Sequence, residues 1–136
     1  MEHETQKPVY DWCTSMFPKH VGTKGRAVAL VEEAVELALA AGVNADVIQA
    51  AVKVPMLKEL IRLSNGERSS HQREDAEEIA DVLVCVYAYA EEAGYDAHDE
   101  LDKKMAINRS RPKEYYAAKT AQKEDLGFIL PDAPER

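Results

Sequence analysis

Apolar residues recur at intervals of three and four along most of the chain, and the alternation typical of β-strands is scarce. Spacings of three and four place side chains on one face of an α-helix. The clearest example predicts a helix from Arg26 to Ala41. Thr23 is its candidate N-cap, and Gly42 stands where a glycine often ends a helix.

The same periodicity predicts further helices. Asn44 is a candidate cap for a second helical stretch that runs to about Ser64. Pro55 could interrupt this stretch, because proline is tolerated only in the first turn of a helix. A third predicted helix runs from about Gln72 to Ala93 and ends before Gly94. A fourth starts after Asp96 and runs to about Asn108. Two short helices are also predicted, one at Lys113–Lys123 and one near residues 10–17.

These elements predict an all-α fold with a four-helix-bundle core and short N- and C-terminal helical appendages. A chain of 136 residues fits one domain, which we expect to span 1–136. Its core would cover about 24–111, and the tail, about 124–136, would be irregular. The composition, 46% hydrophobic and 31% charged, is typical of a globular protein.

Charge and composition narrow the possible partners. The net charge of −8 argues against nucleic acid, which is bound through a positive surface, but an acidic protein can bind a triphosphate through metal ions. The polar N-terminal segment predicts no secretory signal, and no apolar stretch approaches the 18–20 residues or so of a membrane span. Cys13 and Cys85 match no ligand spacing, and the apolar run around Cys85 predicts a reduced core residue. We therefore expect a cytoplasmic protein.

The first notable group of acidic residues lies in the predicted helix 26–41. Glu33 and Glu36, preceded by Glu32, are three positions apart and project from the same side. No basic residue lies within 32–41 to offset their repulsion. A solvated acidic surface is the alternative interpretation of this pair.

The second group is Glu77, Glu78 and Asp81. Asp81 is the single charged residue between Ile79 and Ala90. Because a helix that is apolar all round is buried all round, we expect Asp81 to be buried or nearly so. A buried carboxylate needs a metal ion or an ion pair with Lys or Arg, and both remain open.

Together the two groups predict a metal site. Two antiparallel helices of one bundle, each with acids three apart, would direct four carboxylates into one pocket. Hard oxygen ligands of this number suit Mg²⁺, with Mn²⁺ as a second option. A di-iron site is disfavoured, because none of the four histidines follows a glutamate in the Glu-x-x-His spacing that such sites use.

Three motifs resemble those of the MazG-like all-α nucleoside triphosphate pyrophosphohydrolases. They are Glu-Glu-x-x-Glu at 32–36, Glu-Glu-x-x-Asp at 77–81, and Lys-x-x-x-Asn-x-x-Arg at 104–111. The resemblance implies Mg²⁺-dependent hydrolysis of a nucleoside or deoxynucleoside triphosphate to its monophosphate and pyrophosphate, by a homodimer or homotetramer. It implies that the metal ligands are Glu33, Glu36, Glu78 and Asp81, and that Lys104, Asn108 and Arg111 contact phosphates or sugar.

Further candidates could activate the attacking water, contact a phosphate or pack against the base. Glu32 or Glu77 could orient or deprotonate the attacking water as a catalytic acid–base group. Lys24 is a further phosphate-binding candidate, and Trp12 could supply an aromatic wall for the base, although core or dimer packing is the alternative for Trp12. Lys104 and Arg111 could equally be ordinary charges near the C-terminal end of a helix.

Two rival interpretations stay open. Within the same chemistry, the chain could be a phosphoribosyl-ATP pyrophosphatase, a dUTPase or a dCTPase. From another class, it could be a non-catalytic acidic helical bundle that binds a partner protein. Glu36 and Glu78 lie 42 positions apart (78 − 36), longer than we expect of a minimal MazG-like domain, so the helical segment between them has an unassigned role.

Overall fold

The structure is a computed structural model that describes residues 3–20, 22–68 and 75–129. All regular structure in these ranges is helical, which confirms the all-α prediction. The helices are α1 (Gln6–Met16), α2 (Gly22–Ala40), α3 (Ala45–Ser64), α4 (Ala76–Ala93), α5 (Ala97–Ser110) and α6 (Lys113–Asp125).

The chain divides into two units. The central unit spans Glu32–Ala88 and holds the second half of α2, all of α3 and most of α4. The terminal unit combines Met1–Val31 with Tyr89–Arg136 and holds α1, α5 and α6. All six predicted acidic site residues belong to the central unit, whereas the predicted phosphate-binding residues belong to the terminal unit.

Two helix starts follow from capping side chains; the Asn44 cap was predicted, whereas for Asp96 only a helix start after it was predicted. The Asn44 side-chain oxygen accepts a hydrogen bond of 3.0 Å from the backbone N–H of Val47 at the start of α3. The Asp96 carboxylate accepts hydrogen bonds from the N–H groups of His98 and Asp99, at 3.0 and 2.9 Å. Each cap satisfies donors that the first helical turn leaves without an intrahelical partner.

Two helix ends are set by glycine. Gly42 and Gly94 have φ values of +88° and +81°, which side chains other than glycine rarely adopt. After Gly42, the N–H of Val43 reaches back to the carbonyl of Ala38 at 3.0 Å, and the equivalent bond after Gly94 ends α4. This pattern is the Schellman motif, and it confirms both predicted C-terminal positions.

Three predicted boundaries require correction. Helix α2 begins at Gly22, where φ is +77°, so Thr23 lies inside the first turn and does not cap the helix. Helix α3 runs through Pro55 without interruption. The third predicted helix begins at Ala76, and the earlier part of that prediction, over 72–74, lies outside the described residues.

The buried core of the terminal unit lies in α1, α5 and α6. Trp12, Met105 and Tyr116 are its buried members, and Phe17 and Leu101 are among the apolar residues packed around them. The Trp12 ring meets Tyr116 edge-on at 5.1 Å between centroids and Phe17 edge-on at 5.9 Å. The described residues therefore do not confirm the predicted four-helix core, and α1 and α6, which were predicted as appendages, contribute to this buried core.

The central unit differs from the prediction in its burial. Asp81 and Cys85 are exposed, as is the whole of α4 from Ala76 to Tyr89, so the expected burial of both side chains is wrong here. The physical reason is that an apolar helix becomes buried only when another element covers it, and none does so among the described residues. Cys85 is a free thiol. None of the helices in the described ranges has the length and apolar character needed to cross a bilayer.

Candidate functional site

The acidic residues of α2 lie on the part of the helix that belongs to the central unit. Glu33 and Glu36 are exposed, whereas Glu32 is partly buried. A separation of three positions places the Glu33 and Glu36 side chains about one helical turn apart on the same side. The two carboxylates thus share one side of α2, as the sequence predicted, and that side is exposed, which corresponds to the solvated-surface alternative.

The acidic residues of α4 lie at its beginning. Glu77 and Glu78 occupy the first turn, where negative charge is favoured by the helix dipole, and Asp81 follows one turn later. All three are exposed. Glu78 and Asp81 form no ion pair with any residue of 3–20, 22–68 or 75–129. The ion-pair alternative for Asp81 therefore finds no partner in these ranges.

The structure does not gather the predicted metal ligands at ligand distance. In the described part of the chain, one group of three His, Cys, Asp or Glu side chains has donor atoms within 4.8 Å of one another, and it consists of His3, Asp99 and Asp102. No three of the predicted ligands lie that close. The four carboxylates are therefore exposed groups on two helices of one unit, and their convergence on a metal ion stays a prediction.

The predicted phosphate-binding residues lie along one side of α5 and at its end. Lys104 is exposed and offers a cationic group to solvent. The Asn108 side chain is engaged inside the terminal unit, because its oxygen accepts a 3.1 Å hydrogen bond from the Tyr116 hydroxyl. Arg111 lies over the Tyr115 ring, with 4.5 Å from its guanidinium carbon to the ring centroid. Asn108 thus has a structural role, and its contact with phosphate or sugar stays a prediction.

The two weaker candidates differ in their surroundings. Lys24, in the first turns of α2, is exposed. Trp12 is only 9% exposed and is packed among core aromatic rings. This environment corresponds to the packing alternative, because little of the indole face is left for a nucleotide base.

The group of His3, Asp99 and Asp102 was not predicted from the sequence. The His3 ring donates to the Asp102 carboxylate at 2.6 Å, and the backbone N–H of Glu4 donates to the other carboxylate oxygen at 2.6 Å. The Glu4 side chain also forms a two-pronged ion pair with Arg109, at 3.1 and 3.0 Å. These bonds tie the N-terminal segment to α5. The one-turn spacing of Asp99 and Asp102 was visible in the sequence, but nothing there indicated that His3 would join them.

The attachment of this segment should depend on pH. The hydrogen bond that the His3 ring donates to Asp102 raises the pKa of His3. The hydrogen bond from the Glu4 N–H, and next the one from His3, lower the pKa of Asp102. The stability that protonated His3 gives to the attached segment is therefore complete below the unfolded pKa of about 6.5, and it is lost as pH rises through the raised pKa of the folded state. The stability that ionised Asp102 gives to the attached segment is lost as pH falls through the lowered pKa of Asp102. The attachment is strongest between the two.

An NMR titration of the His3 ring checks this prediction. Asp102→Asn should move the His3 pKa down towards the ordinary value of about 6.5, because it removes the hydrogen-bonded charge. Asp99→Asn is the matched control and should have a smaller effect, since Asp99 acts on His3 only through its more distant charge. An unchanged His3 pKa in Asp102→Asn would show that the pair does not form in solution.

A small cavity of about 160 Å³ lies in the terminal unit, between the end of α1 and α6. Its walls include the partly buried Phe17, the buried His20 and the aliphatic part of α6 around Ala117 and Thr120. Ligand pockets commonly have volumes of about 300–1,000 Å³. The cavity is therefore small for a nucleotide, and it contains none of the predicted site residues.

Comparisons of the chain with protein-family models, with curated proteins and with solved structures find no match. The MazG-like resemblance therefore depends on the three motifs, their order and their spacing. The structure adds the exposure and the surroundings of each motif residue.

Proposed function

We propose that this chain is a Mg²⁺-dependent nucleoside triphosphate pyrophosphohydrolase of the MazG-like type, acting in the cytoplasm. The observation that carries the proposal is that carboxylates on α2 and α4 are exposed to solvent and lack ion-pair partners in the described ranges. Glu36, Glu78 and Asp81 are exposed and have no ion-pair partner in the described ranges, in a chain with a net charge of −8. Mutually repelling carboxylates at one-turn spacing favour the binding of a divalent cation.

The surroundings of these acids strengthen this proposal. Leu37 follows Glu36, and Ile79 and Val82 flank Asp81 and Glu78; these apolar side chains are also exposed. Carboxylates interspersed with large apolar side chains lose hydration whenever that surface is covered. Desolvation of an ionised carboxylate costs several kcal/mol unless a cation or hydrogen bonds compensate. Hard oxygen donors of this kind fit Mg²⁺ better than a softer metal.

In the proposed reaction, Glu33, Glu36, Glu78 and Asp81 would hold the metal. Bound Mg²⁺ would offset the charge of the triphosphate and of the four carboxylates. Water attacks the α-phosphorus, a new P–O bond forms, the bond between that phosphorus and the bridging oxygen breaks, and pyrophosphate leaves.

The remaining candidates act on the water and on the phosphates. Glu32, which is partly buried, or Glu77 would orient the attacking water and accept its proton. Lys104 and Arg111 remain the predicted contacts for phosphate oxygens, where a positive charge stabilises the leaving pyrophosphate. Lys24 is a further candidate for the same role.

Pyrophosphate release from a panel of ribo- and deoxyribonucleoside triphosphates tests the proposal. We expect turnover with Mg²⁺, no turnover with EDTA, and products that are the monophosphate and pyrophosphate. Including phosphoribosyl-ATP, dUTP and dCTP in the panel separates the alternatives within the same chemistry. Release of inorganic phosphate from the γ-position instead of pyrophosphate would contradict the proposed site of attack.

Thermal denaturation with and without Mg²⁺ provides an independent readout. A cation that binds only the folded state raises the melting temperature, by an amount that depends on its concentration relative to the Kd. A non-catalytic acidic bundle predicts neither a Mg²⁺-dependent shift nor turnover. Absence of both would therefore reject the hydrolase and leave the interaction protein as the function.

A further inference from the structure

The group of His3, Asp99 and Asp102 has a second histidine beside it. The His98 ring lies next to the His3 ring, with 6.4 Å between the ring centroids. On α5, Asp102 is four positions after His98 and three after Asp99, so these side chains project from one side of the helix. His3 reaches the same side from the segment that precedes α1. Two imidazoles and two carboxylates thus share one part of the surface of the terminal unit.

The donor atoms of this group are nearly close enough together to bind one metal ion. One donor atom each of His3, Asp99 and Asp102 lies within 4.8 Å of the other two. Ligands that bind zinc at the usual distances of about 2.0–2.2 Å lie at most about 4.4 Å apart. Small side-chain rotations suffice to reach this separation, because His3 and Asp99 are exposed and can turn without displacing packed neighbours.

The charge of the group favours a cation. After Asp102, the charges of Asp99 and Asp96 also raise the pKa of His3, so three carboxylates lie near this ring. Asp99 forms no ion pair with any residue of 3–20, 22–68 or 75–129. A divalent cation would take the place of the proton that His3 shares with Asp102, and it would compensate more of the negative charge than that proton does.

The donor types indicate which metal fits. Imidazole nitrogen is a good ligand for Zn²⁺ and the other later divalent transition metals, whereas Mg²⁺ and Ca²⁺ prefer oxygen ligands. Zinc sites commonly have four ligands, drawn from His, Cys, Asp and Glu, in tetrahedral geometry. Histidine at helical spacing from a second ligand is a usual way to present two donors to zinc. The group therefore fits zinc better than the Mg²⁺ of the proposed reaction.

We propose that a zinc site joins the segment before α1 to the start of α5. Its ligands are His3, His98, Asp99 and Asp102. Without metal, this segment is held by the His3–Asp102 hydrogen bond and by the ion pair of Glu4 with Arg109. Zinc adds metal–ligand bonds to this attachment and thereby strengthens it. The site shares no residue with the predicted Mg²⁺ ligands of the central unit, so it does not rest on the proposed function.

A group of exposed acids without a metal is the alternative. Acidic side chains are stabilised at the beginning of any helix by its dipole, and Asp96 caps α5 through two hydrogen bonds. This explanation covers the aspartates of the first turn. It does not explain why two histidines lie beside them, one of which comes from a segment 95 positions away (98 − 3).

A zinc titration of the chain, after EDTA treatment and dialysis and without nucleotide or Mg²⁺, tests the inference. Isothermal titration calorimetry should show saturation at one Zn²⁺ per chain. Asp99→Asn should raise the Kd at least about 10-fold, because altering even a group that only supports a ligand costs about 10–100-fold in metal affinity. Asp125→Asn is the matched control at an exposed aspartate of α6 and should leave the Kd within about twofold, since distant surface charges are screened. Absence of binding, or an unchanged Kd in Asp99→Asn, would overturn the inference.

Histidine ring NMR on the unmodified chain locates the ion. Zinc should shift or broaden the ring signals of His3 and His98 and leave those of the buried His20 unchanged. Zinc binding without an effect on His3 and His98 would overturn the inference. Cys85→Ser and Asp81→Asn test the other places that could hold zinc, the exposed thiol and the predicted Mg²⁺ ligands. Loss of zinc binding in either variant would also overturn the inference.

Hydrogen exchange of the Glu4 amide tests whether zinc joins the segment to α5. This N–H donates to the Asp102 carboxylate, so it is protected only while the segment is attached. It should exchange several-fold more slowly with zinc than with EDTA, and an equal rate would overturn the joining role. A chain that binds zinc in this way but releases no pyrophosphate would keep this inference and reject the proposed function. The opposite pair of results would do the reverse.

Discussion

Asp81→Asn is expected to reduce the rate of pyrophosphate release by more than about 100-fold. Substitution of a residue that only hydrogen-bonds to a metal ligand typically costs about 10–100-fold in activity, and loss of a ligand itself should cost more. The substitution keeps the size of the side chain and removes the charge that would hold Mg²⁺. Asp81 is exposed, has no ion-pair partner in the described ranges and lies one turn from Glu78, so the change breaks no ion pair seen in the structure. Loss of activity would therefore report on the metal and not on folding.

The measurement is the initial rate across a Mg²⁺ titration, together with far-UV circular dichroism. Glu36→Gln should behave like Asp81→Asn, because it removes a predicted ligand from α2. Glu92→Gln is the matched control, since it makes the same change at an exposed position near the end of α4 and should retain full activity. Full activity in Asp81→Asn would reject the ligand assignment. Loss of activity in all three variants would point to the overall negative charge instead.

The helices themselves could largely be predicted from the sequence, because their limits depend on local chemistry. Asn44 and Asp96 cap α3 and α5, and Gly42 and Gly94 end α2 and α4, each through hydrogen bonds within a few residues. Such bonds depend on neighbouring residues alone. Thr23 shows the limit of this reasoning, because Gly22 adopts a positive φ and the helix begins there, before the predicted cap.

Burial could not be predicted in the same way. The apolar run around Asp81 and Cys85 indicated a buried helix, but the structure exposes both residues. Periodicity shows which side chains need to be covered, whereas it contains no information on whether the covering element lies in the same chain.

Contacts between distant segments were also beyond sequence reasoning. His3 and Asp102 are 99 positions apart, and their hydrogen bond follows from the packing of α1 against α5 and α6. The candidate site is subject to the same limit. The one-turn spacing of Glu78 and Asp81 is local and could be predicted, whereas the approach of α2 to α4 that a metal ion requires is not local.

Trp12→Ala is expected to lower the free energy of unfolding by about 3–5 kcal/mol, the usual cost of removing a buried aromatic side chain. The Trp12 ring packs edge-on against Tyr116 and Phe17, and edge-on aromatic pairs add about 0.5–1.5 kcal/mol beyond the burial of their area. A loss of this size is a large part of the 5–15 kcal/mol or so that stabilises a typical domain. Tyr10→Ala is the control on the same helix, because Tyr10 is 51% exposed and should cost far less.

Trp12→Phe separates packing from nucleotide recognition. Phenylalanine keeps most of the buried ring in the core, so this variant should fold, with a smaller loss of stability than Trp12→Ala. Trp12 is the single tryptophan, so unfolding is followed by far-UV circular dichroism instead of fluorescence. If Trp12 serves the core, the KM of Trp12→Phe for the best substrate stays within about twofold of the unmodified chain, because the ring makes no contact with the base. A KM raised more than about tenfold, in a variant that keeps its stability, would instead show that Trp12 contacts the base. Stacking of a base on an aromatic ring is worth about 1–3 kcal/mol.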